Sequence, residues 1–256
     1  DGPHAASLEL AAPVPVDLDL AAQHLAEAVR IRTVSHQDPA QNDWSEWERL
    51  RAWLQATYPA VHGATSLELV AGHTLVYTWP GTDPARRPIV LMAHHDVVPV
   101  TPGTEGDWRH APFGGVVADG AVWGRGALDN KSSLVALFES LEGLARSGFV
   151  PAATVIVVSG HDEEAGGGLL EARGGRAEFV LDEGLAVVAD FPLLGRPVAL
   201  VGISEKGYGT LAVTAPAAGG HSSAPPPQTG VGTLARAVVA ITSDPFPMRF
   251  AGPAAE

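Results

Sequence analysis

Apolar residues recur along the chain in two rhythms, and their alternation predicts an α/β protein. Leu20, His24, Leu25, Ala28 and Val29 return at helical intervals, and Trp47, Leu50, Trp53 and Leu54 do so again. Two amphipathic helices follow, separated by a polar loop around Asp38–Asp43. Leu67–Val70 and Thr74–Trp79 are short β-rich runs, and Pro80-Gly81 with Asp83-Pro84 marks a turn before the apolar strand Ile89–Ala93. The stripe Leu134, Leu137, Phe138, Leu141, Leu144 and Ala145 predicts a helix closed by Ser147-Gly148. Strands at Thr154–Val158 and Glu178–Leu181 flank a short helical piece near Leu169–Ala172. The aperiodic stretch Gly103–Gly126 is the kind of long loop that carries function inside a compact domain.

Beyond Gly202 the character changes. Tyr208–Thr214 alternates as a half-exposed strand, Gly219–Thr229 is a loop with three consecutive prolines, and Gly232–Ser243 has helical spacing. The expected organisation is an irregular arm over residues 1–17, a catalytic domain over 18–203 and the first part of a smaller α+β domain over 204–256.

Composition narrows the function. A net charge of −13, with no basic run longer than Arg86-Arg87, argues against nucleic acid as a partner. Apolar runs such as Ala152–Val158 are strand-sized, far below the ~20 residues of a membrane helix. With no cysteine, a disulfide scaffold, a thiolate metal site and a cysteine nucleophile are excluded. The chain starts at Asp1 without a signal-peptide core, so cytoplasmic and exported locations both stay open. Gly124-Arg125-Gly126 runs on to Asp129 where a nucleotide fingerprint needs glycine, and no G-x-S-x-G elbow occurs.

The chemistry concentrates at strand ends. His94-His95-Asp96 follows Ile89–Ala93, Asp162-Glu163-Glu164 follows Thr154–Val158, and Asp182-Glu183 follows Glu178–Leu181. In open α/β sheets ligands bind at that edge. Asp129 sits in the turn before the Lys131–Arg146 helix, where it would by itself serve as an N-cap. His94 and Asp96, two apart in extended chain, point to one side, where the carboxylate can brace the imidazole or lie beside an ion. So many carboxylates around an imidazole, without lysines, call for a cation; hard oxygens with imidazole suit zinc, or less specifically manganese or cobalt. Trp108 and Trp123 read as anchors of the long loop.

The segments LMAHHDVVPV, WGRGALDNK, GHDEE, FVLDEG, EKGYG and GGHSSAPP, in this order, resemble the di-zinc exopeptidase family of carboxypeptidase S, aminoacylase, N-acyl-amino-acid hydrolases and succinyl-diaminopimelate desuccinylase. The carboxypeptidase S branch matches best, from about Leu18 to about Met248. The resemblance implies a mixed sheet flanked by helices, with the start of a lid and dimerisation domain. It also implies that His94 and Asp182 bind one zinc, Glu164 the second, and Asp129 both. Asp96 would steady His94, and Glu163 would be the general base toward a water shared by the metals. His221 would reach an active site, commonly across a dimer, to stabilise the oxyanion.

Three features depart from the family pattern. Asn130 stands where relatives commonly carry a second aspartate, and Ala165–Leu181 is shorter than usual. The family's last histidine ligand comes after the chain returns from the lid, whereas here all ten histidines fall at or before His221. The expectation is therefore a C-terminally shortened hydrolase acting on a peptide or N-acyl amino acid next to its free carboxylate. The alternative is a catalytically incompetent fragment that only binds metal or dimerises.

Overall fold

The computed structural model describes residues 14–165, 176–184, 187–192, 194–202, 209–221, 223–224 and 226–247. The chain divides into two compact units, 1–183 and 184–256. The first opens with helix α1 (Leu18–Val29), whose first turn is capped by the Asp17 carboxylate accepting from Asp19 N at 3.1 Å and Leu20 N at 3.0 Å. Asp43 caps α2 (Trp44–Thr57) in the same way. Helix α3 (Pro59–Ala64) has no cap of its own; the buried Glu142 carboxylate accepts from Ala60 N at 3.3 Å and Val61 N at 2.9 Å. No helix among the described residues is long and apolar enough to cross a membrane.

Strands β1 (Ser66–Val70), β2 (Thr74–Trp79), β3 (Ile89–His94), β6 (Val155–Gly160) and β7 (Val180–Leu181) form one mixed sheet in the order β1-β2-β6-β3-β7. The pairs β1–β2 and β2–β6 are antiparallel, whereas β3 runs parallel to both β6 and β7. Side chains alternate across the sheet. Leu75, Tyr77, Trp79, Val155 and Val157 join one core with Leu134, Phe138 and Leu141 of helix α4 (Lys131–Arg146), while Val76, Val90 and Val158 pack on the opposite face. Burying Leu134 and Phe138 completely contributes about 1.5–3 kcal/mol each.

Within Gly103–Gly126 the chain is not wholly irregular. Strands β4 (Val116–Ala118) and β5 (Ala121–Trp123) pair antiparallel across Asp119-Gly120, whose φ angles of 53° and 74° suit a two-residue hairpin turn. The strand expected at Glu178–Leu181 contracts to Val180–Leu181, and the helical piece at Leu169–Ala172 lies outside the described residues.

The second unit contains a two-stranded ladder of β8 (Val187–Val188) and β9 (Val198–Ala199), and helix α5 (Gly230–Ser243) capped by Thr229. The strand expected at Tyr208–Thr214 does not form over 209–214, where Leu211 is 80% exposed. Alternation alone makes no strand without a neighbouring ladder.

Candidate metal centre

Topology assembles the site. Because β3 lies between β6 and β7 and is parallel to both, three strand ends open at one edge. The register sets His94 opposite Gly160 and Leu91 opposite Leu181, so the residues just past β6 and β7 arrive beside His94.

His94 is 4% exposed. Its Nε2 lies 2.9 Å from Asp129 Oδ1, 3.3 Å from Glu183 Oε2 and 3.9 Å from Glu163 Oε2. On the other side of the ring, Nδ1 is 3.1 Å from the Asp96 carbonyl oxygen and 3.3 Å from Asp96 Oδ1. Two overlapping groups, His94 with Asp129 and Glu164, and His94 with Glu163 and Glu183, keep their potential ligand atoms within 4.8 Å of one another.

The Asp96 carboxylate is fully buried and organises more than the imidazole. Ser35 Oγ donates to Oδ2 at 2.6 Å, Glu163 N to Oδ1 at 3.2 Å and Glu164 N to Oδ2 at 3.1 Å. The same side chain thus braces His94 and holds the backbone of the Glu163-Glu164 turn. Sequence reasoning missed this second task, since acceptance of backbone N–H groups leaves no motif.

Electrostatics follow from the crowding. Burial works against a charged His94, but Asp96, Glu183 and Asp129 outweigh it and push its pKa up to about 10. Burial raises Asp96 as well, yet His94 and Ser35 leave it below its ordinary value. Burial and neighbouring carboxylates raise Glu163, Glu164 and Glu183, against the pull of His94. Among the described residues no Lys or Arg forms an ion pair with Asp129, Glu163, Glu164 or Glu183. One imidazole nitrogen converging with carboxylate oxygens, and no basic side chain to balance them, fits a divalent cation.

Neighbouring residues separate by alternation. His95 points away into the protein, where it is 1% exposed, bonds Ser159 Oγ at 2.7 Å and is pushed down to about 3 by burial. Asp182 enters neither convergent group; its Oδ1 accepts from Glu183 N at 2.8 Å, and Glu183 presents the carboxylate nearest His94 from that strand end. Asp129 does not cap α4. That position falls to Asn130, which makes no side-chain capping bond, and the Asp129–Asn130 peptide bond is cis. His221 belongs to the second unit, where it is exposed and pairs with Ser223 Oγ at 2.8 Å.

The layered mixed sheet gathers acidic and imidazole side chains at its parallel strand ends, an arrangement suited to holding a metal ion. Two solved structures share the fold: human carnosine dipeptidase 1, with a TM-score of 0.53, 22% identity and coverage of 66% of this chain and 39% of that one, and the M20 family metallo-carboxypeptidase Sso-CP2 of Sulfolobus solfataricus, with a TM-score of 0.52, 24% identity and coverage of 65% and 38%. Residues 90–244 match peptidase family M20/M25/M40, and the chain belongs to that family of metallopeptidases.

Relatives at higher identity include the probable carboxypeptidase S-like 2 of Dictyostelium discoideum, 39% identical over 242 residues that make up 90% of this chain and 46% of the relative. The human N-fatty-acyl-amino acid synthase/hydrolase PM20D1 is 36% identical over 236 residues, covering 88% and 46%. Carboxypeptidase S of Saccharomyces cerevisiae is 35% identical over 247 residues, covering 89% and 42%. The chain therefore spans about half the length of the curated relatives it matches.

Proposed function

We propose that this chain carries the metal-binding core of a zinc-dependent amidohydrolase. Its substrate is a peptide's last bond or an N-acyl amino acid, cleaved next to the free carboxylate. The observation that carries this reading is the convergence of His94, Asp129, Glu163, Glu164 and Glu183 at one sheet edge. Family membership and the names of the carboxypeptidase S and N-fatty-acyl-amino acid hydrolase relatives support the same reaction class.

His94, Asp129 and Glu164 would hold the metal, with Glu183 or Asp182 completing the set from the end of β7. Bound there, zinc supplies Lewis-acid chemistry that lowers the pKa of a water and polarises the scissile carbonyl. Glu163 is the general base: its carboxylate takes the proton of the attacking water and passes it to the amide nitrogen as the C–N bond breaks, leaving an acid and a free amine. A base raised above the ordinary glutamate range is better matched to that task near neutral pH. Asp96 keeps Glu163 and His94 in register through the bonds already described. His221 is proposed as the oxyanion contact, on the resemblance of the GGHSSAPP segment.

Glu163→Gln tests the assignment. With metal content and folding unchanged, kcat falls by about 10²- to 10⁴-fold. Turnover at the wild-type rate would remove Glu163 from the mechanism.

A further inference from the structure

The Glu163-Glu164 turn is held from two sides. On one side its backbone N–H groups donate to Asp96. On the other it is tied through His161, the first residue beyond β6. Side chains alternate along that strand, so His161 continues the row of Val155, Val157 and Ser159 that faces into the protein, where it is 7% exposed.

Two other elements grip His161 there. The register sets Leu75 opposite Ser159, which brings Thr74 to the end of β6. Thr74 Oγ1 and His161 Nδ1 share a buried hydrogen bond of 2.6 Å. From α2, Trp47 Nε1 donates to the His161 carbonyl oxygen at 3.2 Å. Trp44 and His73, stacked on each other at 4.1 Å, flank the same imidazole, with ring centres 6.0 and 5.8 Å away. Packing alone does not call for an imidazole at this place, since the same row is filled by valines, and a buried polar ring is costly without partners.

The peptide planes carry the effect forward. The Trp47 bond holds the 161–162 peptide, and the two Asp96 bonds hold the 162–163 and 163–164 peptides. Three consecutive peptide groups, each planar, are therefore fixed by side chains from outside the turn. Glu163–Ala165 then closes as a single 3-10 turn, with Ala165 N donating to Asp162 O at 3.2 Å. Little freedom is left between His161 and the two glutamates, so a displacement of His161 moves both carboxylates. A general base acts only within hydrogen-bond reach of its proton, and a misplacement of about 1 Å can cost about 100-fold in rate.

We propose that Thr74 and Trp47 are positioning residues for the Glu163-Glu164 turn: acting through His161, they set where the base and the neighbouring metal-binding carboxylate point. The assignment rests on the reading of Glu163 and Glu164 given above and adds the residues that aim them.

Thr74→Val removes the hydroxyl and keeps the shape, Thr74→Ser returns the hydroxyl, and Trp47→Phe removes the N–H and keeps a ring. Zinc affinity is measured on chelator-stripped protein, kcat and KM for an N-acetyl amino acid at saturating zinc, and the thermal midpoint in parallel. Thr74→Val and Trp47→Phe are expected to weaken zinc binding by about tenfold. They should also lower kcat by about 10- to 100-fold with KM within about twofold of wild type, and Thr74→Ser should recover both quantities. Val61→Ala, a truncation of a fully buried side chain in α3, lowers the thermal midpoint and leaves zinc affinity unchanged. A lower thermal midpoint in Thr74→Val with zinc affinity and kcat unaltered overturns the proposal, as do losses that Thr74→Ser fails to recover. Zinc affinity that falls in Thr74→Val and recovers in Thr74→Ser, in a protein that hydrolyses nothing, supports the positioning and counts against the amidohydrolase reading instead. Hydrolysis by the wild type at a kcat that every variant shares does the reverse.

Discussion

Replacing Asp96 by Asn exchanges one carboxylate oxygen for an amide nitrogen at the centre of the site's scaffold. Three donors point at that carboxylate, from Ser35 Oγ and the backbone of Glu163 and Glu164, and His94 Nδ1 stands 3.3 Å away. The Ser35 hydroxyl can turn and accept from the new NH₂ group; the Glu164 N–H cannot. One charge-assisted bond is lost, at about 1.5–3 kcal/mol, and a donor is forced against a donor in a dry environment. Asp96→Asn should therefore destabilise the fold by about 2–4 kcal/mol, and Asp96→Ala by about 3–5 kcal/mol.

Urea unfolding read by circular dichroism measures the stability, and zinc titration of chelator-stripped protein measures the site. Zinc affinity should fall by about 10- to 100-fold, as it does when a group supporting a metal ligand is removed. The pH dependence has a defined sign. Asp96 titrates below its ordinary 3.8 in the fold, so its stabilisation is complete above that pH and is lost as the pH falls through the lowered value. The Asn variant lacks this acid limb. Unfolding within about 0.5 kcal/mol of wild type together with unchanged zinc affinity would refute Asp96 as the scaffold.

Lys131 is fully buried, donates from Nζ to the Ala28 and Ile31 carbonyls at the end of α1, and is pushed down to about 7 by burial. Between about pH 7 and its ordinary 10.5 the unfolded chain binds the extra proton, so wild-type stability rises with pH by about 1.4 kcal/mol per unit near the middle of that window; Lys131→Met should abolish the slope, and a variant with the same pH profile would contradict the buried amine. Gly115 has φ +53°, and a Cβ there would sit 2.1 Å from the Ala26 carbonyl oxygen. Gly115→Ala should cost about 2–4 kcal/mol in urea unfolding, and a neutral result would mean the loop does not dock on α1.

Much of the fold was legible because its elements bury one regular face. The stripes around Leu134–Leu141 and Leu50–Leu54 and the runs at Ile89–Ala93 and Thr154–Val158 all lie in or beside observed elements. Helix α3 was not, since six residues without a period depend on a cap from Glu142, about eighty residues along the chain. The β4–β5 hairpin had its signal in Asp119-Gly120 between short apolar runs, but the surrounding glycines masked it. At the site, the potential ligand atoms converge at strand ends that the sequence had singled out. Which carboxylate of Asp182-Glu183 faces His94 depends on how far a two-residue strand extends, and local sequence does not encode that.

The reading of a metal centre is tested most directly by titrating zinc into chelator-stripped protein and into its Asp129→Asn variant, with bound metal counted at equilibrium. Asp129 is the carboxylate nearest His94 Nε2, at 2.9 Å. A built site binds zinc tightly enough to raise the thermal midpoint, and the variant loses at least about tenfold in affinity. No binding to the wild type, or equal binding to both, would contradict it.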